Sequence, residues 1–306
     1  MDEILKLDHI YQFNDFAKKE TFHPLVSVID FSTVAIETKP MRISLGVYAI
    51  FFKDVKCGNI RYGRDYYDYQ KGTLVFMAPG QIAGFEEEEA NDEEEEESQL
   101  QGWALLFHPD LIRGTSLGNN IKDYTFFSYE VHEALHLSEG EQQIVIDCLH
   151  KIDYELRHAI DKHSRTLIVS NIELLLNYCV RFYDRQFITR GNVNKDIIVR
   201  FERLLNTYFQ SGKPQTDGLP SVKFCATQLH LSPNYLGDLI KKETGKTAQE
   251  HIQLLLMNMA KEKVFDASKT VSEIAYELGF KHPQHFSRMF KKVTGYSPQE
   301  YRLQRN

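Results

Sequence analysis

The C-terminal third of the chain contains one pattern twice, and this repeat constrains the fold more than any other feature of the sequence. The stretch CATQLHLSPNYLGDLIKKETGKTAQEH, Cys225–His251, aligns with IAYELGFKHPQHFSRMFKKVTGYSPQEY, Ile274–Tyr301. The alanine and the apolar positions recur 49 residues apart, and after one extra residue the proline, the paired lysines and the glycine recur 50 apart. A repeat of this kind predicts one supersecondary unit built twice.

Each copy predicts a helix, a tight turn and a second helix, at about 222–245 and 271–295. Ser232 followed by Pro233 is typical of an N-cap with proline at the first helical position, where its missing N–H leaves no hydrogen bond unmade. Three pairs have the spacing of a capping box, which predicts further helix starts: Thr247 and Glu250, Thr270 and Glu273, and Ser297 and Glu300.

The second helix of each copy predicts one buried and one exposed face. The apolar positions predicted to be buried are Leu236, Leu239, Ile240, Phe286, Met289 and Phe290. The opposite stripes, spaced i, i+3, i+4, i+7 on one face, are Asn234, Gly237, Asp238 and Lys241, and Gln284, Ser287, Arg288 and Lys291. Arginine can bind guanine and glutamine adenine, whereas lysine suits phosphate. One such stripe is explained by ordinary solvated helix surface; two with the same layout favour DNA recognition.

Charge is distributed unevenly along the chain. The net charge is −7, yet the residues from Asn192 to the end contain 17 lysines and arginines against 11 acidic residues. A basic C-terminal third behind an acidic body favours a polyanion as the partner of that third.

Residues from about Asn194 to Arg302 resemble the AraC/XylS family of bacterial transcription regulators, through the motif SEIAYELGF…FSRMFKKVTGYSPQEYR. The resemblance implies a DNA-binding domain at 191–306, with two helix-turn-helix units joined by a long helix that Gln249–Asp266 fits. It also implies base contacts from the two stripes. Gly237 and Asp238 stand where the family commonly has long polar or basic residues, so we expect the second unit to carry more of the specificity.

The first 135 residues predict short strands, as in LVSVIDFSTVAIE, MRISLGVYAIFFKD and LQGWALLFH. The resemblance implies a cupin-like β-barrel or sandwich here that senses a small-molecule effector. KGTLVFMAPGQ is similar to a cupin strand and its Pro-Gly turn. His23, Arg42 and Trp103 are the candidate ligand-binding residues, with loop or core packing as the alternative for His23 and Trp103. His23 lacks a paired histidine, so we expect no metal.

Residues 136–190 predict long helices. Ile144, Cys148, Ile152 and Leu156 fall on one helical face, and Leu167–Tyr183 is apolar over a wide arc. Such an arc buries a second face either in an intramolecular core or against a partner chain. We favour a dimerisation region at this point. TRGNVNKD, Thr189–Asp196, then predicts a linker.

The acidic run Glu86–Glu97 has ten acids in twelve residues and predicts a solvated loop, with cation binding as the alternative. The four widely spaced cysteines fit reduced structural thiols.

Together these features predict a multidomain α and β protein that regulates transcription. We expect it to be a cytoplasmic homodimer that binds double-stranded DNA, meets RNA polymerase if it is an activator, and needs neither cofactor nor membrane. The alternatives are a metal-dependent cupin enzyme with a DNA-binding tail, against which the absent histidine pair argues, and an architectural DNA binder without an effector.

Overall fold

The computed structural model describes residues 4–34, 41–53, 60–61, 72–85, 102–130, 133–189 and 191–303. The chain divides into two compact units, Met1–Thr189 and Arg190–Asn306. The acidic run Glu86–Glu97, for which a solvated loop was predicted, lies outside the described residues.

The first unit contains two sheets. The first has the strand order β1-β3-β7-β5 and the second the order β2-β8-β4-β6-β9. Strand β1 pairs with β3 in parallel, and the other described pairs are antiparallel. The strands are β1 (Ile4–Leu7), β2 (Val26–Asp30), β3 (Met41–Leu45), β4 (Tyr48–Lys53), β5 (Ile60–Arg61), β6 (Thr73–Met77), β7 (Ile82–Phe85), β8 (Gly102–Phe107) and β9 (Leu135–His136).

The core between the two sheets is apolar. Ile43 and Leu45 from the first sheet meet Ala49, Ala104 and Leu106 from the second. Helix α1 (Ile10–Phe16) adds two side chains of its own to this core. Leu105 and Phe107 alternate with the core positions of β8 and are also fully buried. Burial on both faces explains why this strand has a continuous apolar run rather than an alternating pattern.

The described residues of this unit also form the α-helices α2 (Pro109–Ile112), α3 (Ser116–Asn120), α4 (Glu139–Arg157) and α5 (Ser164–Thr189). Ser138 and Glu141 form a capping box at the start of α4. Cys148, Ile152 and Leu156 are buried as predicted, but Val145 replaces Ile144 on the buried face, where Ile144 is half-buried.

Helix α5 uses most of its apolar arc within the unit. It packs against α4, α2 and β9. Its buried apolar side chains are Ile168, Val169, Ile172, Leu175, Leu176, Cys179, Phe182, Tyr183 and Phe187. Leu167 and Leu174 remain 45% and 41% exposed. The intramolecular core therefore accounts for the larger part of the arc, and these two leucines lie one heptad apart outside it.

The C-terminal end of α5 is bonded to the edge of the second sheet. Gln186 accepts the backbone N–H of His136 at 2.8 Å and donates its amide N–H to the Ala134 carbonyl at 3.0 Å. Arg185 donates to the His136 carbonyl at 2.6 Å and to both carboxylate oxygens of Glu141. These side chains occupy hydrogen-bonding groups that an edge strand would otherwise expose.

The second unit is helical in its described residues. Its helices are α6 (Gly191–Gln210), α7 (Lys213–Asp217), α8 (Val222–Leu229), α9 (Pro233–Thr244), α10 (Ala248–Val264), α11 (Val271–Glu277), α12 (Pro283–Thr294) and α13 (Pro298–Leu303). The long connecting helix predicted over Gln249–Asp266 is α10, which contacts α6, α9, α11, α12 and α13.

The linker predicted at Thr189–Asp196 is wrong for most of its length, because α6 begins at Gly191. Asparagine is unfavourable in the interior of a helix, but in α6 the burial of Asn194 overrides that preference. Asn194 is 1% exposed and donates to the Glu243 carboxylate of α9 at 3.0 Å.

Candidate nucleic-acid interface

The two repeats contain the same turn. The backbone N–H of Leu231 donates to the Ala226 carbonyl at 2.9 Å, and that of Phe280 donates to the Ala275 carbonyl at 2.9 Å. Each of these bonds closes the end of the first helix and directs the chain into the second. The alanine and apolar positions that recur 49 residues apart therefore have the same structural role in both copies.

The second helix of the first copy, α9, has a defined start and end. The Ser232 hydroxyl accepts the backbone N–H of Tyr235 at 3.1 Å, as expected for the predicted N-cap. The helix ends at Gly245, whose φ is 72°, with Lys241 and Lys242 in the last turn. Cations at this end interact favourably with the helix dipole.

The second helix of the second copy, α12, ends in the same way at Gly295, with a φ of 84° and Lys291 and Lys292 in its last turn. Its start differs, since the N-cap His282 makes no side-chain capping bond. The last turns of α9 and α12 therefore place two lysines at equivalent positions.

The predicted faces of these helices are largely as expected. Leu236, Leu239, Ile240, Phe286 and Phe290 are buried, whereas Met289 is half-buried. On the stripes, the exposed residues are Asn234, Lys241, Gln284, Arg288 and Lys291, and the half-buried ones are Gly237, Asp238 and Ser287. The structure thus brings the predicted residues of each stripe onto one accessible helix face.

Three exposed side chains beside the second stripe were missed: Lys281, His285 and Lys292. The His282 and His285 rings lie 5.4 Å apart, edge to face. His285 aligns with Tyr235 of the first copy, which is only 4% exposed. Lys281 and Lys292 could have been found from the sequence, because Phe280–Thr294 contains four cations and no acidic residue.

The first stripe has a weaker charge. Pro233–Thr244 contains Lys241 and Lys242, balanced by Asp238 and Glu243. Positive potential attracts the phosphate backbone of a nucleic acid. The second copy is therefore the stronger electrostatic partner for a polyanion.

Capping boxes fix the starts of three helices in and around the two copies. Glu250, Glu273 and Glu300 each accept a backbone N–H at 2.7 Å, from Thr247, Thr270 and Ser297 respectively. These backbone bonds, with help from the hydroxyl groups of the same residues, hold the pKa of each of the three carboxyl groups below its usual value of 4.5. The predicted starts of α10, α11 and α13 are confirmed.

Arg302 of α13 fixes the corner between α10 and α11. Its Nε donates to the Val264 carbonyl at 2.6 Å and its Nη2 donates to the Lys269 carbonyl at 2.9 Å. Glu277 of α11 forms ion pairs with Lys263 and Lys269 on the same corner. This network holds the first helix of the second copy against the connecting helix.

The three candidate ligand-binding residues lie on three different parts of the first unit. The His23 Nδ1 accepts the backbone N–H of Leu25 at 3.0 Å, and burial lowers the pKa of this half-buried ring. Arg42 is exposed on β3, alternating with the core residue Ile43. Trp103 alternates with the core residues of β8 and lies 5.0 Å from the His150 ring of α4. The structure does not bring the three together.

Within the described ranges, no three His, Cys, Asp or Glu side chains gather as a metal site requires. In the same part of the chain, every helix is too short or too polar to cross a membrane. Cys148, Cys179 and Cys225 are buried free thiols. Burial raises the pKa of Cys225 to about 11 and that of Cys179 further.

Known proteins resemble the C-terminal unit. A family described as a helix-turn-helix domain matches residues 225–304. The HTH-type transcriptional regulator YtdP of Bacillus subtilis is 39% identical over 80 residues, which cover 26% of this chain and 10% of YtdP. The HTH-type transcriptional activator RhaS of Escherichia coli is 32% identical over 81 residues, 26% of this chain and 29% of RhaS.

A crystal structure from Chromobacterium violaceum, described as a transcriptional regulator with an AraC-type DNA-binding domain, is 22% identical with a TM-score of 0.32. The match covers 36% of this chain and 93% of that one. The chain thus spans less than a third of the two curated relatives YtdP and RhaS.

The two turns, the repeated helix pairs and the family match define a double helix-turn-helix domain. This C-terminal domain belongs to the AraC/XylS type, as the motif in its second copy predicted.

Proposed function

We propose that this protein is a sequence-specific transcription regulator that binds double-stranded DNA through α9 and α12. The observation that carries the proposal is the repeated stripe, which places exposed polar and cationic side chains on the second helix of two turns that share the same closing hydrogen bond. In a helix-turn-helix the second helix enters the major groove, which is wide enough to admit it.

The stripe residues have distinct roles in this proposal. Arg288 is exposed near the middle of α12 and can donate two hydrogen bonds to guanine, and Gln284, one turn earlier, can pair with adenine. Lys241 and Lys291, near the helix ends, bind phosphates and fix the register of the domain on the duplex. Asn234, Gly237, Asp238 and Ser287 complete the two contact faces.

The first unit gives the regulator its second activity. We propose that it is a cupin-like sensor for a small-molecule effector, because DNA binding alone does not require a separate unit with two sheets and its own apolar core. His23, Arg42 and Trp103 stay candidate contacts. No observation in the described part of the chain favours the metal-dependent enzyme alternative.

The exposed side of α5 offers a surface for a second copy of the chain. We propose that the chain forms a homodimer through this helix, on which Leu167 and Leu174 lie exposed seven residues apart. The regulator acts in the cytoplasm, where it reaches DNA, and contacts RNA polymerase if it activates transcription.

The test is selection of a binding sequence from a random duplex library by the full-length protein, followed by affinity measurements over a salt series. We expect one enriched sequence, bound with an affinity that falls steeply with salt. The Arg288→Ala variant should lose preference for it, whereas Lys213→Ala, which removes an exposed cation of α7 outside both stripes, should not. Failure of the wild-type protein to enrich any sequence would overturn the proposal.

A further inference from the structure

Gly237 lies inside helix α9, where the fold has no need of a glycine. A Cβ built at this position meets no atom within 4 Å beyond its own turn of helix, and the backbone is not in the left-handed region. Glycine in a helix interior lowers the folding equilibrium constant about two- to fivefold relative to alanine. Within the described part of the second unit, no neighbouring atom requires glycine at this position.

The second copy has a small residue at the equivalent position. Ser287 stands 50 residues after Gly237, and its hydroxyl donates to the Pro283 carbonyl at 3.1 Å, within its own helix. Its hydroxyl hydrogen is thereby already used by its own helix.

Long polar side chains stand on both sides of each small residue. Asn234 and Lys241 lie about one turn before and after Gly237, and Gln284 and Lys291 lie in the same places around Ser287. We call the surface at each small residue, between its two long neighbours, the notch of that helix. The two copies share this notch although Asn234 differs in length from Gln284 and Asp238 differs in charge from Arg288.

The groups that line a notch determine what can bind there. The backbone N–H groups in the middle of a helix are committed to i−4 carbonyls, so a notch offers no free backbone donors for a phosphate. Gly237 supplies no side chain, and the Ser287 hydroxyl, whose hydrogen is used within its own helix, keeps only its oxygen as an acceptor. Neither notch therefore offers a donor, and the notch at Gly237, which has no polar side chain at all, fits an apolar group that projects into the major groove, such as the C5-methyl of thymine.

We propose that each notch seats a thymine methyl group, so that the helix backbone approaches the floor of the groove at Gly237 and Ser287. This inference rests on the proposed function and deepens it. The first copy, which lacks a long residue at this position, then reads sequence by close approach, while Asn234 and Lys241 bind on either side of Gly237.

The test uses the full-length protein and the duplex that the wild-type chain selects. Gly237→Gln fills the notch with a residue that favours helix, and we expect at least tenfold weaker binding with the salt dependence unchanged and the melting temperature equal or higher. Gly237→Ala should melt higher and bind about threefold weaker. Ser287→Gln should lose affinity as Gly237→Gln does.

Gly140 of α4 provides the control, because it is also a helical glycine whose built Cβ meets nothing within 4 Å, and it lies outside both stripes. Gly140→Ala should raise the melting temperature of the first unit and leave DNA affinity within twofold of wild type.

Operators in which each thymine in turn is replaced by uracil, which lacks the methyl group, identify the partner. Wild-type protein should bind severalfold more weakly when uracil stands at one position for each copy, and Gly237→Gln should be insensitive at the position that belongs to the first copy. Full affinity of both Gly237 variants, or no uracil effect, would overturn the notch. If the wild-type protein selected no duplex, the proposed DNA-binding function itself would be overturned, and the proposal about the notch would be overturned with it.

Discussion

His230 and Gly279 occupy the same left-handed position in the two turns, with φ values of 58° and 90°. Only the second position is crowded. A Cβ on Gly279 would lie 2.8 Å from the Pro214 carbonyl oxygen and 3.0 Å from the carbonyl carbon of Gly218. Histidine is accommodated in the first turn, whereas in the second the approach of the segment around α7 adds a steric requirement for glycine.

Gly279→Ala should therefore destabilise the second unit by about 1–3 kcal/mol, the range for a residue held in an unfavourable backbone conformation. The measurement is urea or thermal unfolding of the full-length chain. His230→Ala is the matched control and should change the free energy of unfolding less, because it exchanges one non-glycine residue for another at a similar φ. Equal stability of Gly279→Ala and wild type would show that the α7 segment moves aside easily.

Acid should weaken the second unit through its three capping boxes. The pKa values of Glu250, Glu273 and Glu300 are lowered in the folded chain by backbone hydrogen bonds. A carboxyl group whose pKa is lowered by folding binds more protons in the unfolded chain. Its contribution to the stability of the fold is therefore complete above the unfolded pKa near 4.5, and it is lost as pH falls through the folded pKa. We expect the melting temperature to fall below about pH 4.5 for this reason.

The triple variant Glu250→Gln, Glu273→Gln and Glu300→Gln is the comparison, since glutamine can fill the same capping position without a charge. Its melting temperature should depend less steeply on pH than that of wild type between pH 3 and 6, a range that brackets the usual value of 4.5. An identical slope for both proteins would assign the acid effect to other carboxylates.

The repeat allowed much of the second unit to be predicted, because local rules determine it. Capping pairs, Pro233 and the glycines at the helix ends act within a few residues, and the pattern of buried positions has the helical period. Asn194 shows what such rules miss. Its helix is stabilised by a hydrogen bond to Glu243, 49 residues away along the chain. No local pattern in Thr189–Asp196 predicts that hydrogen bond.

The positions of Trp103 and His285 show the same limit. A strand pattern predicts that neighbouring side chains alternate between faces, but which face meets the helix α4 depends on the packing of the whole unit. Likewise, the alignment of Tyr235 with His285 gives no sign that one is buried and the other exposed. Burial of a single residue at a helix edge depends on neighbours that are distant in sequence.

Asn194→Ala should destabilise the second unit by about 1–3 kcal/mol, since it leaves a partly buried carboxylate of Glu243 with one hydrogen bond fewer. Lys195→Ala, at an exposed position one residue along α6, should stay within about 0.5 kcal/mol of wild type. Urea unfolding of both full-length variants gives the comparison. If the two were equally stable, α6 would owe its helix to its apolar contacts alone.

Dimerisation should depend on Leu167 and Leu174. We expect the full-length protein to sediment as a dimer at micromolar concentration and the Leu167→Glu, Leu174→Glu double variant as a folded monomer, because both side chains are exposed in the single chain. Leu303→Glu, at a position 71% exposed in α13, is the control and should leave the dimer intact. A wild-type chain that sediments as a monomer at high micromolar concentration would contradict the proposed interface.

Substitutions of Arg288 and Lys291 should have different effects, because we expect Arg288 to read a base and Lys291 to bind a phosphate. Arg288→Ala should weaken binding to the selected duplex by about 1–3 kcal/mol and relax the preference at one or two base pairs, because a bidentate contact to guanine is lost. Lys291→Ala should weaken binding to all duplexes alike and lower the salt slope by about one, because one phosphate contact is lost. Both side chains are exposed on the same face of α12, so neither change should affect folding.

Asp238→Ala is the comparison in the first copy. It removes a negative charge from the stripe of α9, so it should preserve sequence preference and tighten binding to unrelated duplexes. Selection from a random library with each of the three variants, together with affinity measured over a salt series, provides the readout. If Arg288→Ala kept the full preference while Asp238→Ala lost it, the first copy rather than the second would be the main reader of sequence. The four cations and the absence of acidic residues in Phe280–Thr294 favour the opposite result, because they draw α12 toward the duplex.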